Sequence, residues 1–126
     1  MRNFLILSGF IASQAMGVPS ALAQTNSPPV APSDFQILPD CQPYAVDLLA
    51  NAYDPDGDEL EVSITVGWTS YGTWQWTGPS TIEYTPHTND GTDVIYYTVQ
   101  DSHGASVNTQ IALRNQNWCL TTLQAK

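Results

Sequence analysis

Positive charge is almost missing from this sequence. Three Lys and Arg stand against twelve Asp and Glu in 126 residues, a formal net charge of −9. Nucleic acid, which needs a basic footprint to displace counterions, is excluded as a partner. Histidine is down to two, His87 and His103, both in expected turns, and no G-x-S-x-G, H-E-x-x-H or C-x-x-C motif is present. Asp101, Ser102 and His103 are neighbours in one tight turn. Such neighbours are not easily arranged as orienter, nucleophile and base, so no catalytic residue is assigned and a small hydrolase is the weakest reading. Sustained helical periodicity is absent beyond the N-terminal stretch. So is a second long apolar run, and the rest of the chain is expected not to span a membrane.

The N-terminus runs from a short basic start, "MRN", through the apolar "FLILSGFIASQAMGV" to "PSALA". This is the layout of a secretory signal peptide over residues 1–23, cut after Ala23. The apolar run is short and broken by Ser8, Gly9, Ser13 and Gln14, which argues against an anchor. The expected location is extracytoplasmic, secreted or periplasmic. The chain from Gln24 onward keeps only Arg114 and Lys126 as bases. Its two cysteines, Cys41 and Cys119, are expected to pair once exported. Closing so long a loop is worth roughly 4.5 kcal/mol in chain entropy, before strain is subtracted.

Residues 24–33 are rich in Pro and Ser and form an extended lead-in; residues 34–120 form the domain and 121–126 a tail. Within the domain, polar and apolar residues alternate. Leu60, Val62, Ile64 and Val66 fall on one face of a strand, and Glu61, Ser63 and Thr65 on the other. Strands are expected at about 30–38, 43–49, 60–66, 73–76, 81–85, 94–100 and 105–113. They are separated by the turn chemistry of "DPDGD", "TGPS", "PHTNDG" and "DSHG". Seven short strands of this kind imply an all-β, two-layer antiparallel sandwich.

Three stretches carry a family likeness. "VDLLANAYDPDGDELEVS" resembles the L-A-N-D-x-D-P-D-G-D-x-L-x-V signature of bacterial Ig-like, cadherin-like domains. "YGTWQWTGPSTIEYTPH" is similar to that family's G-T-V…Y-T-P hairpin, and "GTDVIYYTVQDSHGASV" to its G-T-D-x-F-x-Y-T-V-x-D-x-x-G. The likeness spans roughly residues 29 to 113. Trp74 stands where a smaller aliphatic is usual, the stretch from His87 to Asp90 is short, and the cysteine pair lies outside the pattern. The family usually occurs as tandem repeats in large surface proteins, whereas here there is a single copy. The resemblance implies an Ig-like sandwich acting without catalysis, in binding or adhesion. In such a sandwich the loops after the second, fourth and sixth strands share a lower end, which brings Asp54, Asp56 and Asp58 near Asp101. Cys41 and Cys119 then both fall at the upper end, where a bridge is permitted.

"DPDGDEL" admits two readings. Carboxylates at alternate positions of a turn converge on calcium, with Asp54, Asp56, Asp58 and Asp101 as ligands. The other reading is a solvated turn set by Pro55 and Gly57. The loop is not an EF-hand, because the sixth and twelfth places from Asp54 hold Glu59 and Thr65. The resemblance to cadherin-like domains, whose acidic loops hold calcium, favours the ion. The aromatics of "GWTSYGTWQW" divide. Trp74 and Trp76 share a strand face and are expected in the core. Trp68 and Tyr71, with Trp118 beside Cys119, form either a satellite core over the bridge or an exposed set for a glycan or protein partner. Tyr97 resembles the buried tyrosine on the sixth strand of sandwiches.

Overall fold

Alternating β-branched and aromatic residues form seven strands. They are β1 (Asp34–Leu38), β2 (Tyr44–Asp47), β3 (Leu60–Val66), β4 (Gly72–Trp76), β5 (Thr81–Pro86), β6 (Gly91–Asp101) and β7 (Ser106–Asn115). The computed structural model describes residues 25–88, 90–116 and 118–119. The signal peptide expected over 1–23 and the tail over 121–126 lie outside these residues. The strands build two layers, one in the order β1-β7-β6-β3 and one in the order β2-β5-β4. All pairings are antiparallel except β1 with β7, which is parallel. The expected all-β sandwich is the fold.

Inward positions of both layers make the core. Val46, Ile82, Tyr84, Ile95, Val99 and Leu113 are essentially inaccessible, and each buried aliphatic contributes about 1.5–3 kcal/mol. Tyr97 is buried with them, as expected. Trp74 packs against this core and donates its indole N–H to the Gly67 carbonyl at 2.7 Å. Trp76 departs from expectation: it lies edge-on to Trp74 but is 43% exposed. It ends β4, at the rim of the three-stranded layer, where no further strand covers it among the described residues.

The first strand is shorter than the expected 30–38. Val30 pairs instead with Tyr53 in an isolated bridge, and the β1 ladder begins only at Asp34. Pro32 lies between the two pairings and has no N–H to give to either. The strand directions place two groups of loops. The β2–β3, β4–β5 and β6–β7 connections meet at the lower end; β1–β2, β3–β4 and β5–β6 meet at the upper end with the segment after β7.

Candidate functional site

Acidic side chains gather at the lower end. Gly57 takes φ +83° and donates its N–H to the Asp54 carbonyl at 3.0 Å, closing the turn that the sequence announces. Asp54 Oδ1 accepts the N–H groups of Asp56 at 2.8 Å and Asp58 at 3.3 Å. Its other oxygen, Oδ2, is buried and has no hydrogen-bond partner. Buried carboxylate oxygens are normally paired, and this one keeps its lone pairs available as a ligand atom. Asp54, Asp56 and Asp58 present oxygens within 4.8 Å of one another.

The β6–β7 turn approaches the same loop. Asp58, Asp101 and His103 form a second set at the same spacing, so the four aspartates are arranged as neighbouring groups joined at Asp58. Asp101 is 5% exposed. Its Oδ1 accepts the N–H groups of His103 and Ala105, each at 2.9 Å, and its Oδ2 accepts the Asn26 amide at 2.7 Å. Burial pushes the Asp101 carboxyl up. These three hydrogen bonds and the positive potential of His103 outweigh it and hold the group below the ordinary carboxylate value. His103 Nδ1 lies 2.9 Å from Asp58 Oδ2. That hydrogen bond, then the Asp58 charge, raise the imidazole; desolvation opposes them, and Asp101 and Asp54 add smaller upward pulls. The lead-in crosses this end: the Ser27 N–H donates to Asp56 Oδ2 at 2.7 Å. A cavity of about 110 Å³ is lined by Thr25, Asn26, Asp56, Asp58 and His103. The oxygen donors of Asp54, Asp56 and Asp58 suit calcium, a hard ion.

The upper end carries aromatics on a fastened loop. Trp68 is 87% exposed, Trp118 68% and Tyr71 38%. A satellite core is therefore not what these side chains make. Tyr71 does lie over Gly91, where a β-carbon would come within 2.1 Å of the ring, so only glycine fits beneath it. The loop is held by Asp93, which is 4% exposed and accepts the N–H of Ser70 at 2.7 Å, that of Tyr71 at 3.1 Å and the Tyr84 hydroxyl at 2.5 Å. Burial, then the hydrogen bond to Asp93 and its charge, push the Tyr84 hydroxyl far above the ordinary tyrosine value. The bridge between Cys41 and Cys119 is present, with Cα atoms 5.5 Å apart. The buried Asn115 amide donates to the Thr88 carbonyl and reaches Cys119 Sγ at 3.1 Å, so the segment bearing Trp118 is tied to the β5–β6 loop. Trp68 and Trp118 follow β3 and β7, strands separated only by β6, so their points of departure lie about 10 Å apart.

Sequence reasoning missed Asp93, and a signal for it was there. Ile95, Tyr97 and Val99 point inward, and the same parity runs back to Asp93 and on to Asp101. Each of these aspartates flanks the apolar part of an inward row and accepts the backbone N–H groups of a loop, Asp93 above and Asp101 below.

Among solved structures, a variant of the endo-fucoidan hydrolase MfFcnA4 from glycoside hydrolase family 107 is similar, at a TM-score of 0.52 and 22% identity over 71% of this chain and 14% of that one. The parent MfFcnA4 gives a TM-score of 0.51 and 20% identity over 73% of this chain and 14% of that one. A nucleoside hydrolase-related hypothetical protein from Saccharophagus degradans, associated with carbohydrate metabolism, gives 0.51 and 16% over 72% of this chain and 26% of that one. The chain spans only a minor part of the length of these structures, and the likeness is one of fold. No curated protein matches the sequence. The family model described as bacterial Ig domain matches residues 26–114, and the chain belongs to that family.

Proposed function

We propose that this Ig-like module is non-catalytic and binds an uncharged polysaccharide through its aromatic upper end. The observation that carries the reading is Trp68, 87% exposed on a loop whose backbone is fixed by buried Asp93. An indole held in water on a rigid support is a stacking surface for the apolar face of a sugar ring, and the loop has little ordering entropy left to lose on binding. Trp118 adds a second such ring on a segment tied by the disulfide. The net charge of −9 opposes sulfated or carboxylated polymers and favours neutral ones. The likeness to the fucoidan hydrolases is one of fold alone and does not choose the sugar. The signal-peptide pattern over 1–23 and the disulfide support an extracytoplasmic location, where binding serves adhesion or substrate attachment.

Trp68→Ala is expected to weaken binding to an uncharged polysaccharide by about 30-fold, as for a hot-spot aromatic, and to change stability by no more than about 0.5 kcal/mol, as for an exposed side chain. Affinity electrophoresis and thermal melts measure the two. Parallel loss of stability would make Trp68 a packing residue. Undiminished binding would move the ligand elsewhere.

The buried, unpartnered Asp54 Oδ2 favours an accompanying calcium reading at the lower end, with Asp54, Asp56 and Asp58 as ligands and Asp101 behind them. Close carboxylates repel one another by about 1 kcal/mol per pair even at the dielectric of water. Calcium would relieve that. At ten times its Kd it should stabilise the fold by about 1.4 kcal/mol, a rise in Tm of roughly 5–10 °C. Asp56→Asn should lose most of the rise. No shift in wild type at several millimolar calcium would leave a solvated turn.

A further inference from the structure

We propose that Asp58, Asp101 and His103 form a second cation site, one that takes a transition ion of the zinc class. The donor set points there. Calcium selects oxygen ligands, whereas an imidazole nitrogen beside carboxylates is the ligand chemistry of zinc and its neighbours. The three donors come from two loops and lie within 4.8 Å of one another. Donors around a tetrahedral zinc stand roughly 3.3 Å apart. The 2.9 Å between His103 Nδ1 and Asp58 Oδ2 needs to open by a few tenths of an ångström, and gaps to Asp101 as wide as the 4.8 Å limit need to close around an ion.

The second observation is the state of Asp101. It is buried and oriented before any ion arrives, with two backbone N–H groups on Oδ1 and the Asn26 amide on Oδ2. A carboxylate has about four lone-pair positions, so one remains on Oδ2 for a metal. Hydrogen bonds of this kind fix a ligand and raise metal affinity. Entry is open: the His103 side chain is 64% exposed and the 110 Å³ cavity reaches Asp58 and His103 from the lead-in side. Asp54, whose Oδ1 takes two N–H groups and whose buried Oδ2 takes none, adds negative charge beside Asp58. What the ion displaces is one pair between His103, which is exposed, and Asp58, which is 16% exposed, screened by solvent on the histidine side. Three protein ligands leave room for water as the fourth.

This site shares Asp58 with the calcium ligands of the lower turn and takes Asp101, which lies behind them, as a ligand of its own; it does not rest on calcium binding there. The test is titration of the oxidised, chelator-stripped protein with Zn²⁺ by calorimetry and with Co²⁺ by visible absorption. One equivalent should bind in the micromolar range, and Co²⁺ should show the intense visible bands of a four-coordinate site. His103→Gln should weaken Zn²⁺ at least tenfold and leave the melting response to calcium unchanged; Asp56→Asn should do the reverse. His87→Gln should alter neither. Absence of micromolar binding in wild type overturns the proposal. So does undiminished binding in His103→Gln, which would assign the ion to the acidic turn alone.

Discussion

Replacing Cys41 and Cys119 together by alanine is expected to destabilise the fold by roughly 4.5 kcal/mol, the chain-entropy value for a bridge of this span. The two residues are 78 apart in sequence and join the β1–β2 loop to the segment after β7. They close almost the whole sandwich into one loop, so the unfolded chain is the state that changes most on their removal. A domain of about a hundred residues has a total stability of only 5–15 kcal/mol, and the loss corresponds to a fall in Tm of roughly 20 °C. Thermal denaturation of the double variant against oxidised wild type measures it. A change below about 1 kcal/mol would mean that the unfolded chain without the bridge keeps enough residual structure for its removal to free little conformational entropy.

Asp93→Ala should have the next largest effect, about 3 kcal/mol. Three donors lose their acceptor at once: the N–H groups of Ser70 and Tyr71 and the Tyr84 hydroxyl. Tyr84 has no access to water to replace the lost partner. A buried donor left unpaired costs about 1–3 kcal/mol, more than the net value of the bond it made. Asp93→Asn should recover little, because its amide brings hydrogens to a place that supplies only donors. Tyr84→Phe removes one donor and should cost about 1 kcal/mol. Glycan binding should fall with Asp93→Ala along with stability, whereas Trp68→Ala separates the two. Chemical denaturation of the three variants is the measurement. An Asp93→Ala variant within about 0.5 kcal/mol of wild type would show that the Trp68 loop does not depend on this anchor.

Much of this fold is legible in the sequence because alternation is a direct imprint of a half-buried sheet. Leu60 to Val66 is both the expected and the observed span of β3. Strand β6 begins at Gly91, not at 94, because Gly91, Thr92 and Asp93 have the composition of a turn yet continue the ladder with β7. Polarity hid Asp93: a buried aspartate looks like a loop residue until the donors around it are seen, and those come from residues 9, 22 and 23 positions away. The lower end was legible as a gathering of loops. The sequence did not announce that the lead-in would supply Asn26 to Asp101 across 75 residues, or that His103 would meet Asp58 across 45. Aromatic residues gave the least secure reading. Alternation in "GWTSYGTWQW" separates Trp74, which finds the Gly67 carbonyl and the core, from Trp68, which is left in solvent, but it does not separate Trp74 from Trp76, which shares its strand face and is 43% exposed at the end of an edge strand.

The two ends of the sandwich thus have different chemistry on one rigid body. Hard and borderline cation donors lie below, and exposed rings lie above, with β6 spanning both and carrying an inward aspartate near its start, Asp93, and at its end, Asp101. The most direct test of the proposed function uses the four indole N–H signals in a two-dimensional nitrogen–proton NMR spectrum, recorded while an uncharged oligosaccharide is added. The Trp68 and Trp118 signals should move with one common Kd, while that of Trp74, engaged with Gly67, should stay in place. Movement confined to residues of the lower loops or of the outer sheet faces, or no movement of Trp68 at saturating oligosaccharide, would contradict the assignment of the aromatic end as the binding site.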